Sequence, residues 1–211
     1  MKLLSIPTIW CLVSCVAVNA DQSLTYPLSC KLDLVEIRGA FKVNLSTDIN
    51  VSECNLVIQA KDEEIRNVVI TQNDSLVVRT TERAVFHKTP ELSIRLPQLA
   101  QFIASGVVDS YLEKIQANYF QINLSGKSSL HINGQTEKLL AKVTGVSKID
   151  ARDFLSQDAD ITVTGNSMVT IHVSKTLSAE ATGVSKILYE GTPSILKHKI
   201  TGISQISKLN E

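Results

Sequence analysis

Three short segments of this sequence contain residues that could act on phosphate or acyl groups. Residues 126–128 read Gly-Lys-Ser, and residues 145–148 and 183–186 both read Gly-Val-Ser-Lys. A phosphate-binding loop needs an earlier glycine, which would fall at Gln121, and a helix after the loop. A nucleophile elbow needs a second glycine after the serine, and both Gly-Val-Ser-Lys segments lack it. The sequence therefore predicts no catalytic residue and no cofactor site at these segments.

The histidines and a group of aspartates are the other candidates for acid–base or metal chemistry. Residues 150–160 are rich in aspartate, and such a stretch could bind Ca²⁺ weakly. The alternative is solvated charge on a loop between repeats, which we favour. The histidines do not share a repeat position, so the sequence predicts surface histidines and no metal site. The residues concerned are Asp150, Asp153, Asp158, Asp160, His87, His131, His172 and His198.

The segments at residues 126–128, 145–148 and 183–186 are copies of one repeat. A Ser/Thr-Gly pair returns at intervals of 20, 19, 20, 18 and 19 residues, and in most copies a serine follows two positions later. Such a period indicates a repeat architecture in which each unit stacks on its neighbours. The repeat glycines are Gly106, Gly126, Gly145, Gly165, Gly183 and Gly202.

Apolar residues recur two positions before each glycine and, in five of the six copies, four positions after it, which is strand periodicity on both sides of a corner. The fold class is therefore all-β: a parallel β-helix-like stack of about six coils of 18–20 residues, preceded by a β-rich segment. Glycine suits a corner that needs positive φ or a close approach. Stacked Ser and Thr hydroxyls could satisfy one another and the corner backbone. A sandwich or propeller is the alternative fold. A leucine-rich repeat would need the L-x-x-L-x-L pattern with its asparagine ladder, which this sequence lacks.

Two lysines occupy the same position of the repeat, three residues after the glycine. Lys148 and Lys186 would lie two coils apart, with Met168 between them, at about 10 Å. A pair of this kind could contact an anionic glycan or a phosphate. The alternative is a pair of solubilising surface charges.

Before the repeats, residues 21–90 form a β-rich segment with short alternating runs. Asn73-Asp74 is typical of a hairpin turn between residues 68–70 and 76–78, and residues 61–65 are a charged connection or at most one helical turn. Cys30 and Cys54 are expected to form a disulfide, with buried free thiols as the alternative. The repeat region is residues 91–211, beginning with the strand at 92–97, and 21–211 form one continuous domain.

The first twenty residues have the pattern of a secretory signal peptide. One lysine precedes an apolar run, and Val18-Asn19-Ala20 favours cleavage after Ala20. An anchoring helix retained in the mature protein is one alternative, and a lipoprotein site with lipid attachment at Cys15 is another. The mature chain is then an exported protein without a transmembrane span, located in the periplasm, at the outer membrane or outside the cell. The formal net charge of the whole chain, which is zero, argues against a nucleic-acid partner.

Several motifs together resemble a known bacterial family. They are the segment L-x-I-x-L-P-x-L at residues 92–99 leading to Ser105-Gly106, the serial Ser/Thr-Gly-x-Ser repeats, and Tyr-Glu-Gly-Thr-Pro at 189–193. In this combination the chain resembles the "putative auto-transporter adhesin, head GIN domain" family over about residues 35–206. The resemblance implies an exported β-helical protein and supplies no catalytic residues.

The resulting expectation is a non-enzymatic protein of the cell envelope or surface that binds a glycan or another envelope protein. Sheet faces of β-helices can bind extended polysaccharides, although this is an argument by analogy. A glycan-active enzyme, a lyase or a hydrolase, would need a groove with convergent charged residues and shifted pKa values. A structural unit that assembles end to end is the third possibility.

Overall fold

The structure is a computed structural model that describes residues 21–82 and 84–209. The expected signal peptide and the proposed lipid site at Cys15 lie outside the described residues. The elements in chain order are β1 (Asp21–Pro27), β2 (Leu34–Thr47), β3 (Asn55–Lys61), α1 (Asp62–Ile65), β4 (Val68–Gln72), β5 (Leu76–Thr80), β6 (Glu91–Leu96), β7 (Gln101–Gly126), β8 (Ser129–Gly145), β9 (Lys148–Gly165), β10 (Met168–Gly183), β11 (Lys186–Glu190), β12 (Ser194–Gly202) and β13 (Gln205–Lys208).

The described chain is a parallel β-solenoid of about five turns, which confirms the expected stack. Strands β7, β8, β9 and β10 pair in parallel in chain order, and β10 continues to β11 and β12. The register places each repeat glycine beside the next, as in the pairs Gly145–Gly165, Gly165–Gly183 and Gly183–Gly202.

Strand β2 also belongs to the stack, which the sequence did not reveal. It pairs in parallel with the first half of β7, and Gly39 lies beside Gly106 with a φ of 125°. The chain between these two glycines leaves the stack and returns, so their separation is far longer than the repeat period. A search for a constant interval therefore misses the first coil.

The N-terminal strands extend the sheet beyond this first coil. Strand β6 pairs in parallel with β2 and antiparallel with β3, and β1 pairs antiparallel with β3. The segment at residues 92–97, expected to begin the repeats, thus lies beside β2 and outside the repeat. Strands β4 and β5 form the expected antiparallel hairpin, and β5 joins β2. Cys30 and Cys54 form a disulfide with their Cα atoms 5.5 Å apart.

The core is the inside of the coil, and it is filled by aliphatic side chains with a few phenylalanines. The inward positions two before and four after the glycines are buried in most coils. The rings of Phe120 and Phe154 meet edge to face, with centroids 5.6 Å apart. Within the described part of the chain, the one helix, α1, has four residues, and no helix is long and apolar enough to cross a membrane.

The serines after the glycines bind the corner backbone, and they do so across coils. The Ser167 hydroxyl donates to the Gly145 carbonyl at 3.0 Å and accepts from the Ser147 backbone N–H at 3.1 Å. Ser185 repeats the first contact on Gly165 at 3.0 Å. From the sequence, these hydroxyls are expected to bind both the corner backbone and one another. In the structure they bind backbone groups and not one another, because the bend leaves backbone groups unpaired at this point.

We expect Gly145→Ala to destabilise the protein by about 2–4 kcal/mol, because strain at positive φ adds to a clash. The φ of Gly145 is 86°, and an added Cβ would lie 2.5 Å from the Gly126 carbonyl oxygen. Urea unfolding followed by circular dichroism measures the change. The control is Val146→Ala at the exposed neighbouring position, which should alter stability by no more than about 0.5 kcal/mol. Equal stability of the two variants would contradict the role given to the glycine.

We expect the double variant Cys30→Ser/Cys54→Ser to lose about 3 kcal/mol of unfolding free energy, since the cross-link restricts the unfolded chain. The two cysteines are 24 residues apart in the sequence. The wild-type protein unfolded in the presence of a reductant should match the double variant. A reductant that leaves the wild-type unfolding curve unchanged would argue against this contribution.

Candidate functional site

The strands that follow the glycine corners form an exposed surface, here called the front face. It consists of the outward side chains three, five and seven positions after each corner glycine. At the third and fifth positions, neighbouring coils bring residues of equal position together, because the strands are parallel and in register there; the ladders shift near the seventh position. The fifth-position column reads Asn44, Tyr111, His131, Asp150, Thr170 and Leu188, and the third-position column reads Lys42, Asp109, Ser129, Lys148, Met168 and Lys186.

An aromatic pair lies near the middle of the front face. The rings of Tyr111 and His131 are parallel within 8°, with centroids 5.2 Å apart. Two planar side chains at the same position of adjacent coils are held at about the strand spacing of 4.8 Å, which suits stacking. Tyr111 remains 38% exposed, so part of the aromatic pair is open to solvent.

An ion pair adjoins the aromatic pair on the next coil. Arg152 donates from Nε to Oδ1 of Asp150 at 2.9 Å and from Nη2 to Oδ2 at 2.7 Å. The two residues are two apart on one strand, so both side chains point to the same face. His131 Nδ1 lies 3.9 Å from Asp150 Oδ2. The fork of the guanidinium thus orients the carboxylate beside the imidazole.

The hydrogen bonds from the Arg152 side chain are the largest cause that lowers the pKa of Asp150, and burial opposes them in part. The backbone N–H of Arg152 and the charges of Arg152 and His131 act in the same direction. Asp150 is therefore a carboxylate at neutral pH. It can accept hydrogen bonds, and it is unsuited to serve as a general acid.

Two grooves meet at Tyr111. One, of about 420 Å³, runs toward the N-terminal strands, and the other, of about 260 Å³, runs along the later coils. Tyr111 and Glu113 line both grooves. From β6 to β9 the sheet advances by four strand spacings, about 19 Å, which is room for an extended ligand. The polar lining residues are Asn44, Ser46, Asn55, Ser93, Arg95, Glu113, His131, Asn133, Asp150, Arg152 and Asp153.

The groove wall is rigid at the corner that follows Glu113. Lys114 has a φ of 60°, unusual for a residue with a side chain. Its backbone N–H donates to Asn133 Oδ1 at 2.8 Å, and its carbonyl accepts from the Thr47 hydroxyl at 2.7 Å. Bonds from both neighbouring coils thus hold the strained residue and fix the position of Asn133.

The front face can recognise a ligand rich in hydroxyl groups. Its flat aromatic surface can pack against the apolar face of a sugar ring, and carboxylates, amides and guanidinium groups around it can bind hydroxyls. Asn44 is already oriented, since its Nδ2 donates to Glu91 Oε1 at 2.6 Å. In the described ranges, no group of three or more His, Cys, Asp or Glu residues is placed to hold a metal ion.

The residues singled out from the sequence occupy several surfaces. Lys148 and Lys186 lie in one column with Met168 between them, on the front face. Their contact with an anion stays a prediction. Ser147 and Ser185 are buried and bound to backbone carbonyls, so they are placed as structural groups.

The interpretation of the aspartate-rich stretch as a loop is wrong. All four aspartates lie in β9, because the strand bends around a corner while its ladder to β8 and β10 resumes on the other side. Asp150 and Asp153 line the front-face groove, whereas Asp158 and Asp160 lie beyond the bend, and the Thr176 hydroxyl donates to Asp158. The histidines are dispersed as expected: His87 contacts Glu64, His172 lies beside Glu190, and His198 lies in β12.

Tyr111 and its stacked partner were not singled out as a pair. The signal was present in the fifth-position column, where a tyrosine, a histidine and an aspartate follow one another in successive repeats. Alignment on the glycines alone does not distinguish an outward column whose side chains could bind a ligand from an ordinary surface column. The neighbouring N-terminal strands, which complete the groove, cannot be placed by the repeat at all.

Comparison with known proteins gives a family and a fold. The family model described as "Putative auto-transporter adhesin, head GIN domain" matches residues 16–193, and no curated protein matches the chain. A crystal structure of a "putative adhesin" from Bacteroides fragilis is similar, with a TM-score of 0.68, 15% identity and coverage of 90% of this chain and 97% of that one. A "putative lipid binding protein" from Parabacteroides distasonis has a TM-score of 0.55, 14% identity and coverage of 90% and 97%. A "putative adhesin" from the same species has a TM-score of 0.52, 14% identity and coverage of 91% and 98%.

We expect Arg152→Gln to raise the pKa of Asp150 toward the usual value of about 3.9, because the strongest donor to the carboxylate is lost. A lowered folded-state pKa stabilises the fold above the unfolded-state pKa, and this contribution disappears as the pH falls through the folded-state value. The variant should therefore be less stable than the wild type at pH 7, with a smaller difference at pH 2. NMR titration of the aspartate carboxyl carbons measures the pKa. Lys142→Gln, on another face, should leave it unchanged, and an unchanged value in Arg152→Gln would contradict the assignment.

Proposed function

The chain belongs to the family described as "Putative auto-transporter adhesin, head GIN domain", and on that premise we propose that it is an exported surface protein that binds a glycan through the front face. The observation that carries this proposal is the exposed pair of Tyr111 and His131 between two polar grooves. The adhesin description of the family supports a binding role at a surface.

The arrangement around the aromatic pair favours a carbohydrate over a flat apolar ligand. A sugar ring has one face of C–H groups and a rim of hydroxyls, so it needs an aromatic surface with polar groups at its edge. Tyr111 supplies the surface, while Glu113, Asn133 and Asp153 lie at its edge. The Asp150–Arg152 pair adds an acceptor and a donor that hold fixed positions before a ligand arrives. Such preorganisation reduces the entropy lost on binding.

The ionisation of the carboxylates supports a binding role over a glycan-active enzyme. A glycosidase needs one carboxyl group whose pKa is raised so that it can protonate the leaving oxygen. In the described segments, each carboxyl group with a resolved pKa shift, namely Glu64, Asp150 and Glu180, has its pKa lowered. The alternative enzyme hypothesis therefore finds no support from these groups.

Two features support export as part of the proposal. The first twenty residues have the pattern of a signal peptide. The Cys30–Cys54 disulfide suits an oxidising compartment, because thiols of cytosolic proteins are normally kept reduced. Cell fractionation of the producing organism, with and without residues 1–20, tests this part separately from the binding role.

We expect the purified protein to bind oligosaccharides in a glycan-array screen, and Tyr111→Ala to weaken the best ligand about tenfold by calorimetry. An aromatic contact contributes about 0.5–1.5 kcal/mol beyond its buried area, and 1.4 kcal/mol corresponds to tenfold. The matched control is Tyr119→Ala, since Tyr119 is also exposed, at 43%, but lies before the next corner on another side of the coil. Absence of any glycan ligand, or an equal loss in both variants, would overturn the proposal.

A further inference from the structure

A line of exposed apolar side chains runs along the glycine corners. It is formed by the residues that directly follow four of the corner glycines, and we call it the valine ridge. Its members are Val107 (58% exposed), Val146 (58%), Val184 (56%) and Ile203 (83%). The corners are stacked at about 4.8 Å, so the ridge extends over about 24 Å.

The fold does not require apolar residues in this column. Lys127 and Asn166 hold the same position in the two intervening coils. The backbone bond at the corner is the same in every case: the N–H of Lys127, Val146 or Asn166 donates to the glycine carbonyl of the preceding coil at 2.7–2.8 Å. A polar side chain is therefore compatible with the corner, so folding does not require the exposed valines.

Basic residues accompany the ridge. Lys127 lies within it, and Lys42, Lys148 and Lys186 occupy the third-position column two residues further along the strands. The carboxylate in this column is Asp109, which accepts a hydrogen bond from the Ser129 hydroxyl. The positions before the six repeat glycines are uncharged (Ser105, Ser125, Thr144, Thr164, Thr182 and Thr201), and Arg38, which precedes Gly39, is paired with Glu36. Four lysines against one aspartate give this edge a local positive charge, although the chain as a whole is neutral.

We propose that the valine ridge and its lysines form a docking edge for an anionic lipid surface. Short apolar side chains can enter the boundary between headgroups and acyl chains, while lysines at their side contact the anionic headgroups. The ridge is a single line of side chains. A protein interface would instead need a broad patch of about 800 Å² per partner with a shaped counterpart, whereas fluid lipids can close around a line.

The valine ridge is separate from the glycan groove, whereas the lysines beside it belong to the third-position column of the front face, two residues before the column of Tyr111. Tyr111 lies four residues beyond Val107 on the same strand, about 13 Å along it. The ridge can therefore contact a membrane while the groove stays open to solvent. The inference does not depend on glycan binding and goes beyond it.

Co-sedimentation with vesicles tests the proposal. The purified protein should bind phosphatidylcholine vesicles that contain about 30% phosphatidylglycerol, because the lysines are attracted to anionic headgroups. It should bind pure phosphatidylcholine vesicles much more weakly, and added salt should weaken binding to the anionic vesicles. Inorganic phosphate at equal ionic strength should not compete. Competition by phosphate beyond the effect of ionic strength would overturn the lipid assignment in favour of a free-phosphate site, as would equal binding to both vesicle types.

Variants separate the two parts of the edge. Lys148→Gln/Lys186→Gln should weaken binding about 25-fold, since each lysine near an anionic surface contributes about fivefold. Val146→Asn/Val184→Asn should weaken it at least about tenfold through lost apolar burial. Asparagine already occupies the equivalent position at Asn166, and thermal unfolding checks that the fold is kept.

The matched control is Lys138→Gln/Lys142→Gln, which removes the same charge from exposed positions before the corner on another face. It should change vesicle binding less than twofold, and a loss equal to that of Lys148→Gln/Lys186→Gln would overturn the proposal. Failure of the proposed glycan function is distinguishable, because Tyr111→Ala should keep vesicle binding in full and Val146→Asn/Val184→Asn should keep affinity for a soluble glycan.

Discussion

The close approach of backbones at the glycine corners is the constraint on which the rest of the structure depends. At Gly145 a Cβ atom would lie 2.5 Å from the carbonyl oxygen of Gly126, and the same approach recurs at Gly165 against Gly145. Each coil can therefore rest on the previous one in only one register at this point. Because the sheet is parallel, a register set at the corner holds for the side-chain columns that follow it, up to the next bend, where the ladders shift.

In this register, the inward and outward side chains have different roles. The inward columns carry aliphatic residues that fill the coil, and the corner serines satisfy backbone groups that the bend leaves unpaired. The outward columns neither fill the coil nor satisfy the corner backbone, so their residues are available for recognition. The aromatic pair, the Asp150–Arg152 ion pair and the valine ridge all belong to outward columns. One scaffold can thus present a polar groove and an apolar ridge about 13 Å apart along a strand, with the third-position lysines between them.

The predictions that succeeded rest on local or strictly periodic signals. The stack follows from the constant interval of the repeat glycines, and the β4–β5 hairpin follows from Asn73-Asp74 between two apolar runs. The predictions that failed needed a contact between distant segments. Gly39 was not recognised as a member of the glycine column, since a long excursion separates it from Gly106. Asp158 lies in a strand that bends without leaving the sheet, and such a strand carries charged residues on its outer side. In the sequence these charged residues resemble those of a loop, and Asp158 was therefore assigned to one.

The sequence by itself determined the architecture: a period of 18–20 residues with apolar positions at a spacing of two admits a parallel stack whose corners are glycines. It also determined which residues are structural, including the serines that had the form of catalytic motifs. Only the tertiary structure decided where a ligand could bind. The stacking of Tyr111 on His131, and the closure of their groove by Asn55 and Arg95, join residues from coils and N-terminal strands that are remote in the chain. Periodicity describes how each coil follows the next, but a groove depends on which side chains meet across coils, and that is settled by register and by the path of the non-repeating strands.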